Sequence, residues 1–219
     1  MIKSPLAYID ANILVSYALG AEKDERFHIA KKVFEDVLQG KYAVALSHLV
    51  LSETLHALRN IATKEVFKGI ENKYTQGELI KLANSSAFRK KVIDRSLEAF
   101  KTIIECITSN PDHFRIEPPE THYSEKIFSE GLNILSRNFG IFRVYRYRCR
   151  KCNSYLNCDK CGFNCEIAYK SINAPDVTHA LISDSIKCEY FLTMDKYFSK
   201  IPKEEFKTKI IVLQEKNVS

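Results

Sequence analysis

Four acidic residues stand out in the sequence because each lies just beyond a short apolar run. They are Asp10, Glu53, Asp176 and Asp195. Short apolar runs are typical of buried strands, and the carboxyl ends of parallel strands meet along one edge of an α/β sheet. Carboxylates gathered at one edge repel each other unless a cation neutralises them, and oxygen ligands suit Mg²⁺ or Mn²⁺. The sequence therefore predicts a divalent-cation site built from acids that are far apart in the chain.

Each acid also has a structural explanation of its own. An Asp-x-Asn turn accounts for Asp10 and Asn12, and an exposed helix face accounts for Glu53. The helix dipole favours an acid at Asp176, and an N-cap accounts for Asp195. Taken singly, these explanations outweigh a catalytic one. Only the order and surroundings of all four acids together indicate a site.

The elements that must position these acids alternate between strand and helix. Strands are predicted at residues 6–9, 42–46, 190–193 and 210–213, with a short extended piece at 114–119. Helices are predicted at residues 24–39, 49–58, 121–138 and 175–187, with further helices across 64–108 interrupted near 75–77 and 84–86. This alternation indicates an α/β fold with a parallel sheet covered on both faces.

The ordered set of motifs closely resembles the PIN-domain family of ribonucleases. The matching pieces are Tyr8-Ile-Asp-Ala-Asn-Ile-Leu14, Ser47-His-Leu-Val-Leu-Ser-Glu53, Asp176-Val-Thr-His-Ala180 and Phe191-Leu-Thr-Met-Asp195. The resemblance covers about residues 5–60 and 174–213. Each motif is weak alone, whereas the ordered set is fairly specific.

The resemblance implies a three-layer α/β/α fold with a central parallel sheet, and endonucleolytic hydrolysis of RNA with Mg²⁺ or Mn²⁺. Carried over to this sequence, the catalytic and metal-binding acids are Asp10, Glu53, Asp176 and Asp195. Supporting roles fall to Asn12, Thr193 and, as a lesser candidate, Asp184. A divalent cation suits this reaction because it offsets the charge that builds on the phosphoryl oxygens and lowers the pKa of a bound water.

Other catalytic classes lack their usual signatures. The sequence has no G-x-x-x-x-G-K-[ST] phosphate loop, which argues against an NTPase. His56, His179 and Cys188 show no pattern of a nucleophile with its base, which argues against serine-type hydrolysis.

A cysteine-rich insertion at residues 140–172 interrupts the predicted nuclease domain of residues 1–139 and 173–219. Two C-x-x-C units supply four thiols for a structural Zn²⁺, with Cys165 as an alternative ligand to either cysteine of the second unit. A disulfide pair or an iron–sulfur cluster are the competing explanations. The expected zinc ligands are Cys149, Cys152, Cys158 and Cys161.

The same insertion is basic and aromatic. Residues 143–160 hold six basic side chains and one acidic side chain, a net charge of +5 that makes up most of the formal +6 of the whole chain. Arginines bind phosphates and tyrosines stack on unpaired bases, although a solvated surface hairpin would have the same pattern. The predicted RNA-binding residues are Arg143, Tyr145, Arg146, Tyr147, Arg148, Arg150 and Lys151.

Length and hydropathy limit the number of domains and the cellular location that we expect. A chain of 219 residues suits one domain with a small insertion, and no apolar run is long enough to span a bilayer or form a signal peptide. We therefore expect a cytoplasmic protein without membrane contact. The expected partners are RNA, a small antitoxin-type protein if the chain is a toxin rather than an RNA-processing enzyme, and a second copy in a homodimer. The alternatives are a catalytically silent RNA-binding scaffold and a DNA-directed nuclease.

Overall fold

The structure is a computed structural model that describes residues 4–68, 70, 73–118, 125–137, 142–145, 168–171 and 174–214. The strands in this part of the chain are β1 (Leu6–Ile9), β2 (Ala43–Leu46), β3 (Phe114–Ile116), β4 (Phe142–Tyr145), β5 (Ala168–Ser171), β6 (Tyr190–Thr193) and β7 (Lys209–Val212). The helices are α1 (Ala11–Leu19), α2 (Glu25–Leu38), α3 (His48–Phe67), α4 (Gln76–Ala83), α5 (Ser86–Ser109), α6 (Glu125–Arg137) and α7 (Ala174–Ser185). Two 3₁₀ turns, Lys196–Lys200 and Lys203–Glu205, connect β6 to β7.

Five of the strands form one sheet in the order β3-β2-β1-β6-β7, and every neighbouring pair is parallel. In the middle of the sheet, Ala7 of β1 is paired with Val44 of β2 on one side and with Tyr190 of β6 on the other. Helix α1 contacts α2, α3 and α5, and α3 also contacts α5, while α6 contacts α7. Because crossovers between parallel strands are right-handed, the reversal of strand order after β3 sends these two groups to opposite faces. The predicted three-layer α/β/α arrangement with a parallel sheet is confirmed.

The strand order reverses between β1 and β6. The chain leaves β1 into α1 on one face of the sheet and leaves β6 into a 3₁₀ turn that leads to β7 on the other side. A crevice opens at such a switch point, outside the carboxyl ends of the two strands. Asp10 and Asp195 follow these two strands, so the topology brings both acids to this crevice.

Burial of the central strands explains why these segments form the sheet. Ala7, Tyr8 and Ile9 are fully buried, as are Val44 and Leu46. Strands buried on both faces are near-continuous apolar runs, which matches the sequence of β1, β2 and β6. Gly20 ends α1 in the left-handed conformation at φ 58°, which a glycine adopts without steric strain.

Two helices differ from the sequence prediction in length. Helix α3 was predicted to end at Leu58 but continues to Phe67, because Ala62 packs with Phe88 and Val92 of α5 in a second apolar cluster. The described part of α6 begins at Glu125, four residues after the predicted start. Helices α4 and α5 confirm the extra helices expected between residues 64 and 108.

Strands β4 and β5 form a separate antiparallel pair, in which Phe142 lies beside Ser171 and Tyr145 beside Ala168. Residues 146–167 lie outside the described residues, as do the five clustered cysteines and the predicted RNA-binding residues beyond Tyr145. The 140–172 insertion, its zinc site and its RNA contacts therefore stay predictions. Within the described ranges, no helix is both long and apolar enough to cross a bilayer.

Candidate active site

Asp10 lies directly after β1, where its backbone N–H donates to the carbonyl of Leu192 on β6 at 3.0 Å. The residue occupies the N-cap position of α1, but its carboxylate makes no side-chain cap hydrogen bond. Its Oδ2 atom instead accepts hydrogen bonds from Asn12 Nδ2 and Thr193 Oγ1, both at 2.6 Å. Asp10 is 5% exposed, so its carboxylate is almost completely shielded from water and lies beside two neutral hydrogen-bond donors.

Asn12 and Thr193 join the carboxyl ends of β1 and β6 around this carboxylate. The Oδ1 atom of Asn12 accepts from Met194 N at 3.2 Å, and Asn12 Nδ2 also lies 3.1 Å from Thr193 Oγ1. The Thr193 hydroxyl accepts from Asp195 N at 3.0 Å while it donates to Asp10. These contacts fix the direction of the Asp10 carboxylate, and they involve two of the three residues for which the sequence predicted supporting roles.

Glu53 lies on α3, which begins after β2 because the hydroxyl of Ser47 accepts from Val50 N as an N-cap at 3.1 Å. Its side chain is 36% exposed and reaches α7, where Glu53 Oε2 lies 2.6 Å from His179 Nε2. The imidazole of His179 holds the pKa of Glu53 below its ordinary value, chiefly through this hydrogen bond and against the opposing effect of partial burial. Glu53 is therefore held as a carboxylate.

A buried hydrogen-bonded chain continues from Glu53 into the core. His179 is fully buried, and its Nδ1 atom lies 2.9 Å from the hydroxyl of Tyr8, which lies 2.5 Å from Ser47 Oγ. Because the Glu53 carboxylate can only accept, His179 Nε2–H donates to it, and Nδ1 accepts from Tyr8 when that nitrogen carries no proton. Ser47 accepts from Val50 N and donates to Tyr8. This assignment gives every hydroxyl and ring proton of the chain a partner.

The sequence patterns did not predict this hydrogen-bonded chain or the position of His179 within it. One available signal was Tyr8 itself, because a tyrosine in a fully buried strand requires a partner for its hydroxyl. A second signal was the spacing of Asp176 and His179, since residues three apart lie on the same face of a helix. Burial raises the pKa of Tyr8, which keeps its hydroxyl protonated as a donor.

Asp176 and Asp195 lie at the same edge of the fold but in different surroundings. Asp176 is half-buried in the first turn of α7. Asp195 caps the first 3₁₀ turn, where its Oδ1 accepts from Tyr197 N at 2.9 Å. The N-cap explanation for Asp195 is therefore correct for one of its oxygens.

Asp184 departs from its predicted place near the crevice. Its carboxylate accepts from the backbone N–H groups of Lys207 at 3.0 Å and Thr208 at 2.7 Å. Those residues immediately precede β7, so Asp184 lies toward the amino end of a parallel strand, at the edge of the sheet opposite Asp10. Its observed role is to anchor the chain before β7, and we leave it out of the proposed site.

The electrostatics of the crevice centre on Asp10. Burial raises the pKa of Asp10 above its ordinary value and the nearby charge of Glu53 adds to that effect, while the hydrogen bond from Thr193 and the proximity of His179 oppose it. Among the described residues, no three His, Cys, Asp or Glu side chains are grouped closely enough to hold a metal ion. The donor types suit Mg²⁺, but the carboxylates as they lie do not form a finished metal site.

Comparison with known proteins does not assign a family. No protein-family model matches the chain, and no curated protein matches it. Among solved structures, the chain is similar to one in the crystal structure of VapBC2 from Rickettsia felis bound to a DNA fragment from their promoter. The TM-score is 0.44 at 11% identity, over 95% of this chain and 99% of that chain. A similarity this distant assigns neither a family nor an activity.

Proposed function

We propose that this chain is a divalent-cation-dependent ribonuclease whose active site is the acidic crevice at the switch point. The observation that supports the proposal is the environment of Asp10, whose buried carboxylate accepts hydrogen bonds from Asn12 and Thr193. Burial and the charge of Glu53 raise the pKa of this carboxylate. An acid with a perturbed pKa in such a crevice is typical of a functional site. The motifs that resemble PIN-domain ribonucleases point to the same four acids.

The cation would be held by carboxylate oxygens of Asp10, Glu53, Asp176 and Asp195. When bound, it would neutralise phosphate charge and activate a water. Because no three of these side chains are grouped as ligands in the described residues, binding would require the carboxylates to draw closer together. Thr193 and Asn12 would orient Asp10, and His179 would orient Glu53, as outer partners commonly orient metal-binding carboxylates.

The proposed substrate is RNA, and the proposed recognition element is the insertion at residues 140–172. Its arginines and tyrosines suit phosphates and unpaired bases, and its paired C-x-x-C units suit a structural Zn²⁺. A zinc analysis of the purified protein should find about one Zn²⁺ per chain, and Cys149→Ser should lower that content. The extra helices and the insertion favour an RNA-processing enzyme over a minimal toxin, for which a small antitoxin-type partner would be expected.

The test is cleavage of labelled single-stranded RNA by purified protein with Mg²⁺ or Mn²⁺. Wild type should cleave, chelator should stop cleavage, and Asp10→Asn should slow it by roughly 10²-fold or more. Asp112→Asn is the matched control, because Asp112 is exposed and precedes β3 at the opposite edge of the sheet. Equal activity in wild type and Asp10→Asn would place the activity at another site or in a contaminant.

One observation favours a second function, that of a catalytically silent RNA-binding protein. The described carboxylates are bonded to their own neighbours and do not form a ready group of metal ligands. This reading predicts RNA binding without cleavage in any divalent cation. A parallel assay on single-stranded DNA of the same sequence separates a DNA-directed nuclease from both.

A further inference from the structure

A cavity that none of the four acids lines lies between β7 and the two 3₁₀ turns. Its volume is 480 Å³, within the range of pockets that hold small molecules. Most of its wall is apolar, formed by Phe198, Ile201, Phe206, Ile210 and Val212. An apolar cavity of this size suits an alkyl or aromatic group.

One polar group in the wall of this cavity has no partner. Thr208 lines the cavity and is 4% exposed, and its Oγ1 is the one buried side-chain nitrogen or oxygen within the described ranges that makes no hydrogen bond. Thr208 directly precedes β7, and Ile210 and Val212 of that strand also line the cavity. A buried hydroxyl without a partner is unfavourable, and a ligand atom that accepts its proton would remove that deficit.

The solvent side of the cavity is positively charged. Lys203 and Lys207 are exposed lining residues, and neither forms an ion pair within the part of the chain that the structure describes. The ammonium of a third lining lysine, Lys209, lies 6.0 Å from the ring centroid of Tyr190. The nearby Glu205 carboxylate is bound by Arg137 through both oxygens, at 2.6 Å and 3.2 Å, which leaves it less able to neutralise the two lysines.

The wall that carries Thr208 is tied to the fold on two sides. Asp184 of α7 holds the backbone N–H groups of Lys207 and Thr208, and Arg137 of α6 holds Glu205. A pocket whose wall is already fixed binds a ligand without the entropic cost of ordering a loop.

We propose that this cavity binds a small amphipathic anion, with its apolar body among the phenylalanines and its acid group between the Thr208 hydroxyl and the free lysines. A nucleobase fits less well, because its edge carries several polar atoms and the apolar wall offers one hydroxyl. The site contains none of the four acids, so this proposal stands or falls independently of the nuclease activity.

The test uses decanoate, below its micelle concentration, as the probe of the full-length protein. Titration calorimetry should give saturable binding with one site per chain, weaker binding of the uncharged decan-1-ol, and no binding of decyltrimethylammonium. Methyl NMR of the same titration should shift the signals of Ile201 and Ile210 and leave that of the core residue Ile103 in place.

Variants test the two polar contributions. Thr208→Val keeps the shape of the side chain and should weaken decanoate about fivefold through loss of one hydrogen bond. The double variant Lys203→Gln with Lys207→Gln should weaken it roughly tenfold. The charge-matched control, Lys90→Gln with Lys91→Gln on α5, should bind like wild type, and so should Asp10→Asn.

The proposal is overturned if decanoate does not bind saturably, if the methyl shifts fall elsewhere, or if either cavity variant binds as tightly as wild type. Circular dichroism of each variant checks that it is folded. Should Thr208→Val not fold, the methyl shifts of the wild type and the affinity of the lysine variant still decide the question.

Discussion

The carboxylate of Asp10 is buried in the protein interior, where it accepts hydrogen bonds from the Asn12 amide and the Thr193 hydroxyl. Two neutral donors offset part of the desolvation of a charge, and the nearby Glu53 adds repulsion. A functional site commonly keeps such an unfavourable charge because a bound cation offsets its energetic cost. The residue therefore serves the proposed chemistry at a cost to the stability of the cation-free fold.

The first prediction separates function from stability at Asp10. In chelator, Asp10→Asn should be more stable to urea than wild type, by on the order of 1 kcal/mol, because the variant buries a neutral group of the same shape. Asp112→Asn, at an exposed position, should stay within about 0.5 kcal/mol. A variant that is clearly less stable than wild type would mean that Asp10 is a structural carboxylate.

The second prediction concerns the chain from Ser47 through Tyr8 to His179. Tyr8→Phe should lower the free energy of unfolding by about 1–3 kcal/mol, because it leaves buried polar groups of Ser47 and His179 without a partner. Tyr190→Phe is the control, since the Tyr190 hydroxyl has no bond within the described residues.

A urea titration of the two single variants and the double variant Tyr8→Phe with Ser47→Ala measures the coupling. The double variant should lose less stability than the sum of the single ones, because both changes break the same bond. Additive losses would contradict the hydrogen-bonded chain.

At this scale the sequence motifs pointed to Asp10, Asn12 and Thr193, which the structure brings into contact. The hydrogen bond between Glu53 and His179 could not be predicted from the sequence, because it joins residues 126 positions apart on two helices of opposite layers. The role of Asp184 could not be predicted from the sequence, because an acid two turns along a helix can face either edge of the sheet and only the packing before β7 decides which.

Helix α4 shows how a local signal sets an element. Thr75 and Glu78 form a reciprocal capping box, in which the Glu78 carboxylate accepts from Thr75 N at 2.8 Å. That hydrogen bond and one from the Thr75 hydroxyl lower the pKa of Glu78.

The third prediction follows from the sign of that shift. A carboxyl whose pKa is lower in the fold stabilises α4 above its unfolded pKa of about 4.3 and loses that contribution as the pH falls through the folded value. Backbone chemical shifts should therefore show the first turn of α4 fraying as the pH falls from 6 to 3. Glu78→Gln, which keeps the box without titrating, should remove the pH dependence. Equal fraying in both proteins would contradict the assignment.

The strands of the five-stranded sheet and the starts of α2, α3 and α7 were predictable from apolar runs and capping residues, which act within a few positions of each other. The length of α3 was not, because its last turns depend on Phe88 and Val92 from another helix. The short piece from Phe114 to Ile116 could be recognised as extended, whereas its pairing with β2 depends on the finished sheet.

Across the whole molecule, the parallel sheet explains how acids from distant parts of the sequence reach one crevice. β1 and β6 are neighbours although 180 residues lie between Ile9 and Tyr190. The apolar cavity beside β7 lies outside this crevice, so one sheet supports two separate candidate sites.

We propose that Asp10, Glu53, Asp176 and Asp195 jointly hold a divalent cation. The anomalous scattering of Mn²⁺ in a crystal of the protein grown with that ion tests this most sharply. We expect an anomalous peak at the carboxyl ends of β1 and β6, ligated by oxygens of Asp10 and at least two of the other three acids. Ordered Mn²⁺ that avoids this edge, or Asp10 and Asp176 on opposite sides of the molecule, would contradict it.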